Sequence, residues 1–491
     1  MKTKAKKLVT LILTALLVLS ILPMNVFAAQ RDVTTSSTAS IKINNAVEND
    51  ELAAYKVVDI TYNAANNTLS YAWNSAFANY FAPHTVDEFA ALTDDSAELK
   101  SLLAGLPNYI IANSITPVGS TQTVDADGTA TFANLAMGEY FIRPTSTTSV
   151  YQLMLQKVEP TVSGNKYVID DVTFTAKHKE VSVDKAADKT SVTKNEKVTY
   201  TITVDIPTYA AQATDKSFYV ADLLPDGLTI DTASIKVKID EADVDTAAYM
   251  LDTTATAKYT FKLSVDTTQY AANWATSGGN KLKITYTATL NNDATTEVNV
   301  KETNKVTFDY SNYPYVENSH AQKTAAVDVT TFAIKIDKFV KGQEATKLAG
   351  AKFDLYRTAT QAEIDTGKSS EIPHTSIQGI KLEGDKVTDA NGTATFEKYE
   401  ANDTNYDYYL VETQAPSGYN LLDNAVQVNF NDSDVAPTEG IYTVEVPNSS
   451  GIKLPVTGGT GTVIFTIIGI ALMAGAVVLF VVSRKKAEES K

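Results

Sequence analysis

The sequence predicts a mainly all-β protein made of β-sandwiches in tandem, with a helix added to the first of them. Three segments alternate apolar and polar residues and are rich in Val, Ile, Thr and Tyr: residues 198–204, 282–288 and 306–310. This period of two is typical of strands buried on one face. Asp127-Gly128 and Asn391-Gly392 each precede the residues Thr-Ala-Thr-Phe, which predicts hairpin turns.

An internal repeat sets the number of domains. Residues 125–132 recur almost unchanged as residues 389–396, and residues 41–43 recur as residues 334–336. We interpret the first and last thirds as copies of one small sandwich, with a different sandwich between them. The predicted domains are residues 29–175, 176–330 and 331–453.

The helix is predicted in the first domain. Thr85 and Glu88 have the spacing of a capping box, in which each side chain binds the backbone of the other residue. Apolar residues at Phe89, Leu92 and Leu99 follow at helical spacing.

Both ends of the chain carry targeting features. Four lysines between Lys2 and Lys7 precede an apolar stretch, residues 8–24, and the small residues Ala28 and Ala29 follow. This order predicts a secretory signal peptide, residues 1–28. At the other end, an uninterrupted apolar run over residues 463–482 precedes a basic tail. A helix of that length is about 30 Å long and matches the hydrocarbon core of a bilayer.

Composition excludes several classes of protein. The chain has 491 residues, no cysteine and a formal net charge of −16. An exported chain without cysteine cannot use disulfides, and a strongly acidic one is a poor partner for nucleic acid. Four histidines and no recognisable nucleophile motif argue against an enzyme, and we expect no cofactor and no metal. A calcium loop at Asp125 and Asp127 is the alternative to the turn interpretation.

The C-terminal segment, residues 454–491, resembles the cell-wall sorting signal of Gram-positive surface proteins. Its pentapeptide is Leu454, Pro455, Val456, Thr457 and Gly458. The resemblance implies that a sortase cuts after the threonine and passes its carbonyl, held as a thioester, to an amine. The apolar helix would then be a transient membrane anchor, and the mature protein would be bound to the cell wall at the cell surface. An ordinary single-pass anchor is the alternative.

The last third resembles a Cna B-type domain, an immunoglobulin-like module of such surface proteins. Residues 408–419 match the module's "E-box", YxLxETxAPxGY, at every specified position. The resemblance implies an intramolecular isopeptide bond between Lys335 and Asn448, promoted by Glu412. Lys338 is the competing amine, and it would face the opposite side of a strand from Lys335.

These residue types suit the chemistry that the resemblance implies. An amine attacks a carbonyl only when it is neutral, and burial disfavours its charged form. A buried carboxylic acid can polarise the asparagine carbonyl and move protons as ammonia leaves. Packing of the strands supplies the proximity of an intramolecular reaction.

The middle third resembles the partner module, a Cna A-like domain. Residues 222–228 resemble that module's DxLPxGL segment, and residues 302–312 resemble its closing strand. The resemblance implies that Asp222 does the work of the glutamate and that Asn304 is the acceptor. Lys185 is our choice for the amine, with Lys179 as the alternative.

The first domain is expected to lack such a bond. Aligned on the E-box, residues 140–144 place Pro144 where the acid belongs, while Lys42 occupies the lysine position without an acid partner.

Residues 172–177 lie at the first domain junction and resemble the end of the "pilin motif", VxVYPK, of backbone pilins. Val172, Phe174 and Lys177 fit, whereas Thr175-Ala176 replaces the Tyr-Pro pair. The resemblance implies that the Lys177 amine attacks the Thr457 thioester of another subunit. Lys179 is again the alternative.

Together these resemblances imply the backbone subunit of a sortase-assembled, covalently polymerised pilus that supports adhesion. The implied partners are identical subunits, pilus-specific and housekeeping sortases, ancillary pilins and peptidoglycan. The alternative is a wall-anchored adhesin, or an ancillary pilin at the tip or base, that binds host matrix or glycans. Enzymatic activity would be limited to the single-turnover formation of isopeptide bonds.

Overall fold

The structure, a computed structural model, describes residues 31–93, 96–294, 301–401, 407–428, 440–451 and 460–488. The described residues form two compact units, divided between Thr331 and Phe332. The predicted boundary near residue 175 lies inside the first unit, so the separation of that unit into two domains stays a prediction. The predicted signal peptide and the pentapeptide 454–458 lie outside the described residues.

The first part of unit 1 contains strands of 2 to 13 residues and two helices, α1 (Val86–Ala90) and α2 (Ala97–Ala112). The strands are β1 (Arg31–Asp32), β2 (Thr38–Asn44), β3 (Glu51–Asn63), β4 (Thr68–Trp73), β5 (Gln122–Thr123), β6 (Ala130–Ala136), β7 (Gly138–Ser146), β8 (Val150–Tyr151), β9 (Met154–Val158), β10 (Thr161–Ser163), β11 (Lys166–Ile169), β12 (Val172–Thr175) and β13 (His178–Lys179).

Most of these strands lie in two sheets that enclose a common core. One sheet has the order β4-β3-β7-β9, with β5 added to β3, and the other has the order β12-β2-β6. Strand β12 pairs with β2 in parallel, with Val172 opposite Ile41. Strands β1, β11 and β10 form a small separate sheet, and β13 pairs with β8.

The predicted helix is present but is interrupted. Thr85 accepts a hydrogen bond from the backbone N–H of Glu88, whose side chain binds the Thr85 backbone in return, so the predicted capping box is confirmed. Helix α1 nevertheless ends at Ala90, and α2 begins after Ser96. The Ser96 side chain accepts from the Leu99 N–H and so caps a second helix.

The second part of unit 1 consists of two five-stranded sheets, ordered β14-β15-β21-β17-β18 and β19-β20-β16-β22-β23. Its strands are β14 (Val183–Ala187), β15 (Lys197–Asp205), β16 (Phe218–Leu223), β17 (Leu228–Ile239), β18 (Ala242–Asp243), β19 (Met250–Asp252), β20 (Phe261–Val265), β21 (Lys281–Leu290), β22 (Glu302–Ser311) and β23 (His320–Val329). Helix α3 (Thr267–Gln269) continues into a π-helical turn over Tyr270–Trp274, and a 3₁₀ turn covers Thr246–Ala248.

The strands predicted from alternation are confirmed. The three predicted segments lie inside β15, β21 and β22. Along β21 buried residues alternate with partly exposed or exposed ones, and the buried set is Leu282, Ile284, Tyr286, Ala288 and Leu290.

Unit 2 is a sandwich with a short helix, α4 (Gln361–Asp365), and an extended C-terminal helix, α5 (Thr460–Glu488). Its strands are β24 (Phe332–Val340), β25 (Gln343–Lys347), β26 (Lys352–Thr358), β27 (Ser370–Glu371), β28 (Gln378–Val387), β29 (Thr393–Tyr399), β30 (Tyr408–Gln414), β31 (Val426–Val428) and β32 (Ile441–Asn448). One sheet is β25-β24-β29 with β32 on β24, and the other is β27-β28-β26-β30-β31. The predicted all-β fold class is confirmed in both units.

Strands β24 and β32, at the two ends of the sandwich sequence, pair in parallel. Ala333 lies opposite Ile441, and the register continues without a bulge to Val340 opposite Asn448. The strand that opens the sandwich therefore lies directly beside the strand that closes it.

The two predicted hairpin turns are tight turns, but they do not form hairpins. Gly128 and Gly392 both have φ of 72°, a left-handed conformation that favours glycine. However, β5 pairs with β3 while β6 pairs with β2, and β28 pairs with β26 while β29 pairs with β24. Each turn thus carries the chain from one sheet to the other.

The Asp125 side chain is used within its own turn. One carboxylate oxygen accepts from the backbone N–H groups of Asp127 and Thr129, and the other accepts from the Thr129 hydroxyl. These contacts support the turn interpretation of the segment over the calcium loop. Among the described residues, no group of acidic or histidine side chains is arranged to hold a metal ion.

Among the helices that the structure describes, including the described portion of α5, no helix is both long enough and apolar enough to cross a membrane. The predicted span 463–482 begins before the described side chains of α5 and stays a prediction.

The side chain of His320, which is 25% exposed, ties three segments of unit 1 together. His320 contacts Asp309 through Nδ1 at 2.6 Å and Asp215 through Nε2 at 3.1 Å. Hydrogen bonds to Asp215 and Asp309 raise the pKa of His320 to about 9. Burial opposes ionisation of Asp215, but hydrogen bonds from His320 and Ser217 outweigh it and lower the pKa of Asp215 to about 2.

We predict that His320→Asn lowers the free energy of unfolding of unit 1 by about 2 kcal/mol at pH 6, which is less than the full pKa shift implies because solvent screens the partly exposed ion pairs. Because the folded pKa of His320 lies above its ordinary value of 6.5, this contribution is complete below that pH and disappears as the pH rises through about 9. Chemical unfolding of the full chain, followed by fluorescence, measures it. The exposed His374, changed to Asn, is the control, and an equal loss at pH 6 and pH 10 would contradict the prediction.

Candidate functional site

A lysine, an acid and an asparagine meet inside unit 2. Strand β24 directs Ile334, Ile336 and Lys338 inward by simple alternation, and the lysine is completely buried. Its Nζ lies 2.9 Å from Oε1 of Glu412 on β30. Asn448, at the end of β32, donates from Nδ2 to the same oxygen at 3.1 Å.

The assignment of Lys335 to this site is wrong. Lys335 is only partly buried and lies opposite Thr395 and Thr443, on the other face of β24. The competing amine, Lys338, is the one beside Glu412. Residues three apart on a strand face opposite sides, so a site containing Lys338 excludes Lys335.

The surroundings of this site keep it dry and oriented. Glu412 and Asn448 are 1% and 2% exposed, and the Leu422 backbone N–H donates to Glu412 Oε2 at 2.8 Å. The Phe353 ring lies below Lys338 Nζ, with its centroid at 5.3 Å. Burial lowers the pKa of Lys338, and the neighbouring carboxylate of Glu412 opposes that shift.

A second lysine–acid–asparagine set lies inside the middle part of unit 1. Lys185 on β14, Asp222 on β16 and Asn304 on β22 are all buried. Lys185 Nζ donates to Asp222 Oδ2. The structure therefore brings together the three residues that the sequence selected, while the alternative amine Lys179 lies exposed on β13, opposite Val150.

Sequence reasoning missed a fourth member of this site. The hydroxyl of Tyr286 accepts from Lys185 Nζ at 3.0 Å and from Asn304 Nδ2 at 2.7 Å, and donates to Asp222 Oδ1 at 2.9 Å. The signal was present in the alternation of residues 282–288, which places Tyr286 on the buried face of β21.

Burial shapes the electrostatics of the middle site. It raises the pKa of Asp222 and lowers the pKa of Lys185, and the attraction between the two charges opposes both shifts. Both changes favour the pair in which the acid is protonated and the amine is neutral. That pair is the reactive form for attack on an amide.

The first part of unit 1 lacks all three reactive groups. The internal repeat aligns Asn45 with Lys338. The parallel register of the first and last strands then aligns His178 with Asn448. Pro144 occupies the position of Glu412, as expected from the sequence. Lys42, the residue predicted for the lysine position, is exposed on the outer face of β2. The proposed absence of a bond there is consistent with this chemistry.

Lys177 lies between β12 and β13, where the chain leaves the first sandwich. Its side chain is half-buried, and its backbone carbonyl accepts from the Gln152 N–H at 2.9 Å. The preceding carbonyl, of Ala176, accepts from Asn45 Nδ2 at 3.0 Å. Partial burial lowers the pKa of Lys177, while Lys179 is exposed.

Comparison with protein families identifies two segments of the chain. Residues 332–443 match the family SpaA, described as a prealbumin-like fold domain, and residues 446–489 match the LPXTG cell wall anchor motif. The second match confirms the predicted cell-wall anchor and the location of the protein at the cell surface.

Two curated proteins are similar over most of the chain. "Fimbrial subunit type 1" of Actinomyces viscosus is 26% identical over 412 residues, which cover 74% of this chain and 76% of that protein. "Trypsin-resistant surface T6 protein" of Streptococcus pyogenes serotype M6 is 23% identical over 539 residues and covers 92% of this chain and 95% of its own length.

A solved structure supports the fold. The T6 backbone pilin of S. pyogenes serotype M6, described as a modular three-domain structure with variable loops and extensions, aligns with a TM-score of 0.60. It is 20% identical in sequence, and the alignment covers 82% of this chain and 81% of the T6 pilin chain. Together the comparisons confirm the predicted resemblance to LPxTG-anchored backbone pilins.

We predict that Lys338→Ala destabilises unit 2 by about 3–5 kcal/mol, because it leaves the Glu412 side chain buried without the lysine side chain that contacts it. Lys335→Ala removes a partly exposed lysine and should cost about 0.5 kcal/mol or less. Amide hydrogen exchange of the full chain, read by mass spectrometry on β24 and β32, measures both. Equal exchange rates in the two variants would show that Lys338 has no special role.

Proposed function

We propose that this protein is the structural backbone subunit of a covalently polymerised pilus, anchored to the cell wall and supporting adhesion. The observation that carries the proposal is the pair of buried lysine–acid–asparagine sites in a chain that ends in an LPXTG anchor motif. An exported fibre subunit without cysteine needs covalent closures of another kind, and these sites contain the groups for them.

In unit 2 the proposed bond joins Lys338 to Asn448. A proton passes from the ammonium to Glu412, and the neutral amine attacks Cγ of Asn448. The new C–N bond forms as the bond from Cγ to Nδ2 breaks. Glu412 passes its proton to Nδ2, which leaves as ammonia, and takes the surplus proton from the new amide nitrogen. Glu412 begins as a carboxylate and ends with the proton that the ammonium lost, and one ammonia is lost for each bond.

In the middle domain the equivalent bond joins Lys185 to Asn304, with Asp222 as the acid. Each bond closes a loop of more than 100 residues. By analogy with disulfides, such a closure restricts the unfolded chain by about 4–5 kcal/mol. The stabilisation is achieved without a redox-sensitive bond.

The polymer would grow through Lys177 of one subunit and Thr457 of the next. The half-buried position of Lys177 at the end of the first sandwich supports this assignment, because partial desolvation favours the neutral amine that attacks a thioester. Pilus-specific and housekeeping sortases would form the links and attach the last subunit to peptidoglycan. Ancillary pilins would be joined to the same polymer.

Peptide mapping tests the two intramolecular bonds. In a tryptic digest of the full chain, we predict one peptide pair joined through Lys338 and Asn448 and another through Lys185 and Asn304. Each pair should be about 17 Da lighter than the sum of its parts, since each closure releases ammonia.

The controls use matched substitutions. Lys338→Arg should remove only the first joined pair, because guanidinium stays protonated and cannot attack, whereas Lys335→Arg should leave it. Glu412→Ala and Asp222→Ala should each remove one pair. Persistence of the first joined pair in Lys338→Arg would refute the assignment of Lys338.

Wall extracts test the polymer. In the native host, the wild-type chain should give a ladder of high molecular weight on a denaturing gel, and Lys177→Ala should abolish it by removing the attacking amine. Lys179→Ala is the control and should keep the ladder. Only single-copy wild-type protein in the wall would favour the adhesin alternative and overturn the pilus proposal.

A further inference from the structure

One phenol touches every reacting group of the middle site. We propose that Tyr286 is a catalytic residue of the Lys185–Asn304 reaction and relays a proton from Asp222 to the departing amide nitrogen. This inference rests on the isopeptide bond of the proposed function. It adds a fourth residue to the lysine, acid and asparagine of that site.

The contacts of Tyr286 have the geometry of a relay. Its hydroxyl lies 2.9 Å from Asp222 Oδ1 and 2.7 Å from Asn304 Nδ2, and it also accepts from Lys185 Nζ. Proton transfer between side chains requires heavy-atom separations of about 2.6–3.2 Å. Among the described residues, Asp222 and Asn304 are connected by hydrogen bonds through this hydroxyl and not directly.

Comparison with unit 2 shows why a relay is needed in one site and not in the other. There Glu412 Oε1 accepts directly from Asn448 Nδ2 at 3.1 Å. Asp222 has one methylene fewer than a glutamate, so its carboxyl extends less far from the backbone. The hydroxyl of Tyr286 spans the remaining distance. The ring below the amine in unit 2 is Phe353, which has no hydroxyl to offer.

The ring of Tyr286 is held firmly in this position. It is 1% exposed, stacks on Tyr200 with centroids 5.4 Å apart, and meets the Phe261 ring edge-on at 5.2 Å. Burial also raises the pKa of Tyr286 well above its ordinary value. The group therefore remains a neutral hydroxyl, which can accept one proton while it donates another.

The steps balance as follows. Lys185 gives a proton to Asp222, and the neutral amine forms a bond to Cγ of Asn304. As the bond from Cγ to Nδ2 breaks, Tyr286 donates its proton to Nδ2 and takes the proton held by Asp222. The surplus proton on the new amide nitrogen returns to Asp222. Ammonia leaves, Tyr286 ends as the neutral hydroxyl with which it began, and Asp222, which began as a carboxylate, ends with the proton that Lys185 lost.

The test follows closure of both bonds in the full chain made by cell-free synthesis, with samples digested at intervals and the joined peptides quantified. Tyr286→Phe keeps the ring but removes the hydroxyl. We expect the Lys185–Asn304 pair to form at least about 100-fold more slowly, the usual size of a proton-transfer contribution. The Lys338–Asn448 pair, formed in the same molecule, should keep its wild-type rate.

Tyr270→Phe is the matched control. It removes another buried hydroxyl from the same domain, one that donates to the Pro207 carbonyl, and it should leave both closure rates unchanged. A wild-type rate for the Lys185–Asn304 pair in Tyr286→Phe would overturn the relay. Absence of that pair in the wild-type chain would instead overturn the proposed bond itself, so the two failures are distinguishable.

A second measurement needs no substitution and covers the case in which Tyr286→Phe does not fold. Closure of both pairs is timed in the wild-type chain in H₂O and in D₂O. A relay through Tyr286 moves an additional proton, so the middle bond should show the larger solvent isotope effect. Equal isotope effects for the two bonds would refute the relay.

Discussion

Parallel pairing of the first and last strands is the constraint on which the C-terminal unit depends. Parallel neighbours cannot be joined by a tight turn and need a long crossover, and here the rest of the sandwich is that crossover. Lys338 and Asn448 therefore come together only when the whole unit has formed. The same event buries the lysine and lowers its pKa. In the unfolded chain the amine stays protonated and distant, so the fold itself decides when the proposed reaction starts.

The proposed reaction also resolves an electrostatic cost of the fold. A lysine and a carboxylate buried together lose more hydration than their attraction commonly returns. Closure converts the ammonium into a neutral amide and allows the acid to remain protonated. The charge is thus removed from the interior, while the side chains keep their places. A buried ion pair would destabilise the fold if it persisted, but it can serve as the precursor of the isopeptide bond because closure removes its charges.

Sequence patterns located the proposed acid and acceptor residues of both sites, because these residues lie within extended motifs. The choice between Lys335 and Lys338 failed because it was made from the motif and not from the strand. Ile334 and Ile336 alternate inward, so Lys338 shares their face and Lys335 does not. Alternation along β21 likewise places Tyr286 on the buried face of its strand. The turns at Gly128 and Gly392 were predicted correctly as turns, but local sequence does not reveal that the next strand joins another sheet.

The arrangement of the proposed bonds follows the path that tension takes through a fibre. With Lys177 and Thr457 as the links, load enters a subunit after its first sandwich and leaves at its C-terminus. The Lys185–Asn304 and Lys338–Asn448 bonds then carry the load past the residues they enclose, so pulling does not peel those strands apart. Strands β1 to β12 precede Lys177, so they lie outside the proposed path of load. Asn45 and Pro144, which stand there in place of reactive groups, are then mechanically harmless, and the two proposed closures lie where the force would act.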